Sequence, residues 1–180
     1  MTDIRLRPVG FVRNQSKEPA WGDALGNLAW EERAAMMKEQ QKSISELVFD
    51  PDFDVALDNV EEFSHITVLY WAHLAPEERR SIKKVHPMGN KDFPLVGVFA
   101  TRSPIRPNSI LSTTVRLLER NGSVLKVTGL DALDGSPVLD IKPYHNGNQD
   151  GEEYRIPNWM HDIHKTFTDM SPGPGDKSSG

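Results

Sequence analysis

Several short segments rich in β-branched and aromatic residues follow one another closely, and this pattern limits the possible folds more than any other feature of the sequence. Asn121-Gly122 separates two of them, and this dipeptide is a strong signal for a tight β-hairpin. One segment, residues 27–47, has a helical pattern instead. The sequence therefore predicts a mainly β fold, a barrel or sandwich with one inserted helix, and not a parallel α/β sheet. The predicted strands are residues 4–12, 65–73, 95–100, 112–118, 124–128 and 138–141.

The length of 180 residues fits one compact domain with a small appendage. We assign residues 1–146 to the β domain and residues 147–180 to a C-terminal extension, with a flexible tail over about the last ten residues, SPGPGDKSSG. The sequence contains no cysteine, which excludes disulfides, thiolate metal sites and cysteine nucleophiles. With neither a long apolar run nor a secretory signal at the start, a cytoplasmic protein away from membranes is expected.

The net charge of −5 conceals a strong asymmetry along the chain. Residues 17–63 carry four basic and twelve acidic groups, whereas residues 64–127 carry ten basic and four acidic groups. A basic middle third suggests a patch for an anionic partner, with nucleic acid as one candidate. The alternative is that these basic groups face the acidic flanks of the same chain.

Two patterns resemble metal sites but favour simpler interpretations. The acids of residues 50–61 follow calcium-loop spacing, yet Val55 stands where the sharp turn requires glycine. His161 and His164 are three residues apart and can share a helix face, although such pairs are usually just exposed. We therefore predict no metal site. The sequence marks of a dinucleotide fold or a P-loop are also missing.

The segment GVFATRSPIRPN, residues 97–108, has the composition of a rigid binding loop. Pro104 and Pro107 fix the backbone at two points, and two arginines four residues apart suit a carboxylate or a phosphate. The later segment GLDALDG, residues 129–135, presents two aspartates that could accept hydrogen bonds from an amino group or from ribose hydroxyls. Alternatively, these aspartates only form a turn and a cap.

Three segments in this order, FSHITVLYWAH, GVFATRSPIRPN and VTGLDALDGSPVLDIKPY, resemble the TsaA-like family, also called YaeB-like or TrmO. The resemblance covers about residues 63–144, with a weaker match at residues 4–13. It implies a six- or seven-stranded β-barrel, a homodimer and S-adenosylmethionine as cofactor. It also implies methylation of N6 of the threonylcarbamoyl-adenosine next to the anticodon of tRNA. The alternative is a non-catalytic barrel that binds S-adenosylmethionine or RNA.

The resemblance also implies roles for individual residues, carried over position by position. Transfer of the methyl group requires mainly positioning, and a proton acceptor near N6 would help. Our candidates for that acceptor are His73, Asp131 and Asp134, and the sequence does not choose among them. The implied cofactor contacts are His73, Leu74, Arg102, Ser112, Leu130 and Asp131. The tRNA side is assigned to Arg106, Asn108, Lys142 and Tyr144.

The sequence departs from the family pattern in three places. Family members usually carry Pro-Arg-Gln after the first strand, and residues 18–26 do not contain it. Leu111 replaces a family glycine, which would be unfavourable if that position needed a positive φ. Longer members add a C-terminal domain, so this sequence is expected to be a short variant. The helical segment near the missing Pro-Arg-Gln is expected to cover the barrel mouth or to join a dimer interface.

Overall fold

The computed structural model describes residues 3–17, 30–145 and 154–170. Six strands form one closed antiparallel barrel in the order β1-β2-β7-β6-β3-β8, while β4 and β5 form a separate two-stranded ribbon. The prediction of a small, mainly β barrel is confirmed. Among the described residues, no helix has both the length and the apolar character needed to cross a bilayer. The strands are β1 (Gly10–Arg13), β2 (Ile44–Phe49), β3 (His65–Trp71), β4 (Lys84–Val85), β5 (Val96–Gly97), β6 (Ile110–Asn121), β7 (Val124–Thr128) and β8 (Pro137–Pro143), and the helices are α1 (Trp30–Gln40) and α2 (Asn158–Met170).

The core lies inside the barrel because alternate residues of each strand point inward. On β3, Ile66, Val68 and Tyr70 are all buried, whereas the residues between them are partly exposed. A buried tyrosine in this position places an apolar ring in the core and leaves its hydroxyl to be satisfied by a polar partner. The other strands supply the remaining inward side chains, among them Val12, Leu47, Phe49, Val115, Leu117, Leu125, Val127 and Val138.

The barrel closes at the short strand β1, which pairs with β2 on one side and with β8 on the other. Gly10 belongs to both ladders, opposite Phe49 and Val138. A Cβ atom at Gly10 would lie 2.3 Å from the carbonyl oxygen of Val48, far inside van der Waals contact. Glycine at this position therefore allows the backbone approach that closes the barrel.

The predicted helix over residues 27–47 is too long. The structure has α1 at Trp30–Gln40 and a strand, β2, at Ile44–Phe49, while residues 27–29 lie outside the described residues. In β2, Ser45, Leu47 and Phe49 are buried and the residues between them are not, which is the period of a strand. Because helix-forming residues continue up to Lys42, the sequence does not show where the helical period ends and the strand period begins.

Three further boundaries differ from the prediction. The segment predicted as a strand at residues 95–100 contains the two-residue β5 followed by a 3-10 turn, Val98–Ala100. The first predicted strand, residues 4–12, is paired only over Gly10–Arg13. The C-terminal extension contains α2, a helix that was not predicted. Residues 171–180, predicted to be a flexible tail, lie outside the described residues.

The acidic segment with calcium-like spacing folds around a cation of the chain itself. Its backbone forms two short 3-10 helices, Pro51–Leu57 and Val60–Glu62. Arg120 at the end of β6 donates hydrogen bonds to the carbonyl oxygens of Leu57 (3.0 Å) and Asp54 (3.1 Å) and to the carboxylate of Asp58 (3.1 Å). The carboxylate of Glu61 lies 3.7 Å from the same guanidinium group. The carboxylates and carbonyl oxygens of this segment therefore surround the guanidinium group of Arg120.

Candidate functional site

One end of the barrel opens into a pocket of about 420 Å³, which we call the Arg102 pocket. Its floor comes from β3 and β6, and its rim comes from the loop that precedes β6. Two arginines and one carboxylate face it together with several hydroxyl groups, so the pocket can bind a ligand that carries both an anionic and a cationic or hydroxyl-bearing group. The lining residues are Tyr70, Phe99, Ala100, Thr101, Arg102, Arg106, Leu111, Ser112, Thr113 and Asp131.

Asp131 accepts hydrogen bonds from two hydroxyl groups that line this pocket. Its Oδ1 atom accepts a hydrogen bond of 2.8 Å from the hydroxyl of Tyr70 and another from the hydroxyl of Thr113. Burial raises the pKa of Tyr70 above its ordinary value, and the negative charge of Asp131 raises it further. The phenol therefore remains a protonated donor through the physiological pH range.

The rim loop is held by its own hydroxyl groups before it turns into β6. Thr101 donates to the carbonyl oxygen of Val98 (2.8 Å) and accepts from the backbone N–H of Ser103 (3.2 Å). The hydroxyl of Ser103 in turn accepts from the N–H of Ile105 (3.2 Å). This local bonding fixes the backbone on both sides of Arg102, as expected for a preformed binding loop.

The structure brings together four of the residues predicted from the sequence. Arg102, Arg106, Ser112 and Asp131 all line the pocket. The guanidinium group of Arg102 reaches the hydroxyl of Ser112 at 3.5 Å. Leu111, the residue in place of a family glycine, lies in regular β6 backbone opposite Tyr70 and therefore needs no positive φ.

Three other predicted contacts lie outside the pocket lining. Leu130 is buried in the barrel core and Leu74 is exposed after the end of β3. The Nδ1 atom of His73 lies 3.2 Å from the hydroxyl of the buried Ser136. A Cβ atom at Gly135, which has a φ of 75°, would be 3.8 Å from His73 Nε2, so the turn after Asp134 packs against this ring.

Asp134, one of the proton-acceptor candidates, has structural partners. Its Oδ1 atom accepts the backbone N–H of Asn14 at 3.0 Å, and its own N–H donates to the carbonyl oxygen of Ser16 at 2.8 Å. These bonds connect the turn at residues 129–135 to the chain that follows β1. Asp134 therefore ties two loops together and does not line the Arg102 pocket.

Of the residues assigned to a tRNA side, only Arg106 lines the pocket, while Asn108 is exposed on the same loop. Lys142 forms an ion pair with Asp140 at 2.8 Å, and the ring of Tyr144 packs against Tyr154 at 5.0 Å. Lys142 lies in β8 opposite Thr67, three residues or roughly 10 Å along β3 from Tyr70. The N–H of Tyr144 donates to the carbonyl oxygen of His65, five residues or roughly 17 Å from Tyr70. The structure therefore separates Lys142 and Tyr144 from the pocket.

Sequence reasoning missed Tyr70, Thr113 and Phe99. Tyr70 lies in an apolar segment whose sequence indicates a buried strand. Its ring is buried in the core, and only its hydroxyl bonds to Asp131. Thr113 becomes visible only from the register that sets it opposite Val68 on the inward side of β6. Phe99 lies within the segment GVFATRSPIRPN but was predicted as part of a strand, and the structure leaves it 79% exposed at the rim.

A scan against family models matches residues 32–149 to the N-terminal domain of tRNA-methyltransferase O, TrmO. A "Probable S-adenosyl-L-methionine-binding protein" of Methanothermobacter thermautotrophicus is 46% identical over 143 residues, which are 79% of this chain and 91% of that relative. A "Putative S-adenosylmethionine-dependent methyltransferase RcsF" of Pseudomonas aeruginosa is 44% identical over 98 residues, covering 52% of this chain and 41% of that protein.

Among solved structures, the chain is similar to TrmO from Pseudomonas aeruginosa, with a TM-score of 0.58 and 29% identity. The match covers 84% of this chain and 62% of the TrmO chain, so the present chain spans about three fifths of that structure. Barrel topology, the family-model match and the order of the sequence motifs agree. The chain belongs to the TrmO family.

Proposed function

We propose that this protein is an S-adenosylmethionine-dependent methyltransferase that modifies an adenosine of tRNA, with the Arg102 pocket as its cofactor site. The observation that carries the proposal is the joint presence of Arg102 and Asp131 in one preformed pocket. Relatives that share 46% and 41% of aligned residues with this chain are named as probable S-adenosylmethionine-binding proteins. The specific reaction that we propose is N6-methylation of the threonylcarbamoyl-adenosine next to the anticodon of tRNA.

The residues of the pocket fit the chemistry of this cofactor. A guanidinium group can form paired hydrogen bonds with the α-carboxylate, and a carboxylate complements the α-ammonium or sulfonium charge. The volume of about 420 Å³ falls within the range of small-molecule sites. Arg102 would hold the carboxylate end, while Asp131 would take a cationic or hydroxyl-bearing group.

When bound, S-adenosylmethionine supplies an electrophilic methyl group. The protein's contribution would be to hold the acceptor nitrogen in line with that group and at about 3–3.5 Å from it. The N6 atom must lose a proton, and of the three candidate acceptors only Asp131 lines the pocket. His73 and Asp134 have structural partners, and the Asp131 carboxylate is engaged by the cofactor in this proposal, so we assign the proton to none of the three.

The rim of the pocket has features that suit a tRNA loop. Phe99 is 79% exposed, and an exposed aromatic ring can stack on an unpaired base. Arg106 beside it can pair with a phosphate. Two exposed lysines of the basic middle third, Lys83 and Lys84, are near in the fold, since the carbonyl oxygen of Lys83 accepts the N–H of Val98, next to Phe99. We also propose the homodimer and the cytoplasmic location that the family resemblance implies, and light scattering of the purified protein tests the former.

The proposal is tested by measuring cofactor binding and turnover in the same preparation. Calorimetric titration with S-adenosylmethionine should give a Kd of about 1–100 μM, equivalent to about −8 to −5.5 kcal/mol. Incubation with tRNA and radiolabelled cofactor, followed by nucleoside analysis, should then identify a methylated adenosine. Binding without transfer would favour the alternative, a non-catalytic binding module. Absence of binding up to about millimolar cofactor would refute the proposal.

A further inference from the structure

The feature that the proposed function leaves unexplained is the pair of hydroxyl groups that converge on a single carboxylate oxygen. Tyr70 and Thr113 both donate to Oδ1 of Asp131, and neither donates to Oδ2. Tyr70 comes from β3 and Thr113 from β6, two strands paired over seven residues. The carboxylate itself lies on a turn after β7 and is exposed.

An exposed aspartate on a turn ordinarily rotates freely about its last torsion angle. Here two donors on rigid strands fix the plane of the carboxylate, because Tyr70 is 2% exposed and Thr113 lies within a continuous ladder. Both donors stay in place through the physiological range, since burial keeps the Tyr70 phenol protonated. Fixing the carboxylate before a ligand arrives removes an entropic cost from binding.

We propose that Tyr70 and Thr113 are positioning residues that clamp Oδ1 of Asp131, so that Oδ2 is presented to the α-ammonium group of the cofactor. This inference rests on the proposed cofactor. The α-ammonium is the group that fits, because it is bonded to the same carbon as the α-carboxylate and Arg102 lines the same pocket as Asp131. An arginine and a fixed carboxylate together complement both charges of an amino-acid end.

Three adenosyl compounds distinguish which group Asp131 binds. S-adenosylmethionine carries a sulfonium and an amino-acid end with an α-ammonium and an α-carboxylate, S-adenosylhomocysteine keeps only the amino-acid end, and methylthioadenosine has neither. All three share the ribose. Calorimetric Kd values for the three compounds, measured on wild type and variants, isolate the contribution of the amino-acid end as a thermodynamic cycle.

For Tyr70→Phe and for Thr113→Val we expect about five- to tenfold weaker binding of S-adenosylmethionine and of S-adenosylhomocysteine. Binding of methylthioadenosine should change by less than about twofold, since it lacks the group that Asp131 binds. Thr113→Ser keeps the hydroxyl and should restore wild-type affinity. The matched control is Thr114→Val, because the Thr114 hydroxyl lies 3.0 Å from that of Thr67 on the exposed face of the same strand.

Each of the following results would overturn either the clamp or the proposed function. Weakening confined to S-adenosylmethionine would overturn the assignment, because it would place the carboxylate at the sulfonium. Equal weakening for all three compounds would overturn it in favour of ribose binding or of a general structural defect. Unchanged affinities in both variants would overturn the clamp itself. If the wild-type protein bound none of the compounds, the proposed function would fail, and this outcome is distinguishable from failure of the clamp in a protein that binds them.

Discussion

Replacing Arg120 by methionine tests how the acidic segment is attached to the barrel. The side chain is 16% exposed and donates to two backbone carbonyls, those of Leu57 and Asp54, besides its carboxylate partners. Each hydrogen bond from a charged donor contributes about 1.5–3 kcal/mol, and partial access of water reduces what is lost. We therefore expect Arg120→Met to lower the free energy of unfolding by about 2–4 kcal/mol. For a chain of this size, that corresponds to a fall in Tm of about 5–12 °C.

Urea denaturation followed by circular dichroism measures this loss directly. Arg116→Met on the same strand is the control, because its exposed side chain has no ion pair among the described residues and should change stability by less than about 0.5 kcal/mol. Asp58→Asn should cost about 0.5 kcal/mol or less, since Asp58 is 62% exposed. A loss below about 1 kcal/mol for Arg120→Met would refute the reasoning, and a larger loss for Asp58→Asn would show that charge pairing dominates.

Four further predictions concern the pocket and the barrel. Arg102→Ala should weaken S-adenosylmethionine binding at least tenfold, because it removes the cation proposed for the α-carboxylate. Phe99→Ala should raise the KM for tRNA several-fold while cofactor affinity, measured by calorimetry, stays within about twofold. Gly10→Ala should destabilise the barrel by more than about 2 kcal/mol in urea, because of the clash with the Val48 carbonyl. Tyr70 has a raised pKa, so the folded state favours the neutral phenol, and this contribution to stability is complete below about pH 10 and is lost as pH rises above it.

The control for Arg102→Ala is Arg79→Ala. Arg79 lies on a 3-10 turn outside the pocket, so this substitution should leave cofactor affinity unchanged. A large loss of cofactor affinity in Phe99→Ala would place the ring against the cofactor instead of the tRNA. Gly97→Ala should be tolerated, since a Cβ there meets no atom within 4 Å. Wild type should lose more stability than Tyr70→Phe between pH 9 and pH 12, and equal losses would contradict the raised pKa.

The strand content was predictable from sequence because alternating apolar residues and the Asn121-Gly122 turn are local signals. The boundary at Ile44–Phe49 was not, because helix-forming residues run directly into it and only burial in the barrel reveals a period of two. This difference reflects tertiary packing, which overrides local propensity when one face of a segment must be buried.

Some residues of the candidate site were likewise predictable from the sequence, and others were not. Arg102 and Asp131 were predictable because their loops carry turn residues and polar groups that serve no packing purpose. Tyr70 and Thr113 were not, because their partnership depends on the register between β3 and β6 and on a turn that arrives from β7. Lys142 and Tyr144 lie away from the pocket although they closely follow one of its motifs, since proximity in sequence to a motif does not fix which end of a strand a side chain occupies.

The hydrogen bonds to Asp131 also make the binding site depend on the assembly of several strands. Tyr70 and Asp131 are 61 positions apart, and the carboxylate meets its donors only when β3, β6 and the turn after β7 have all assembled. A chain in which these elements are not assembled has no such pocket, so a ligand would bind only the assembled form and would shift the folding equilibrium toward it by RT ln(1 + [L]/Kd). Chains that fail to pair β6 with β3 and β7 would gain nothing from this stabilisation. A higher ligand concentration would thereby raise the fraction of folded chains.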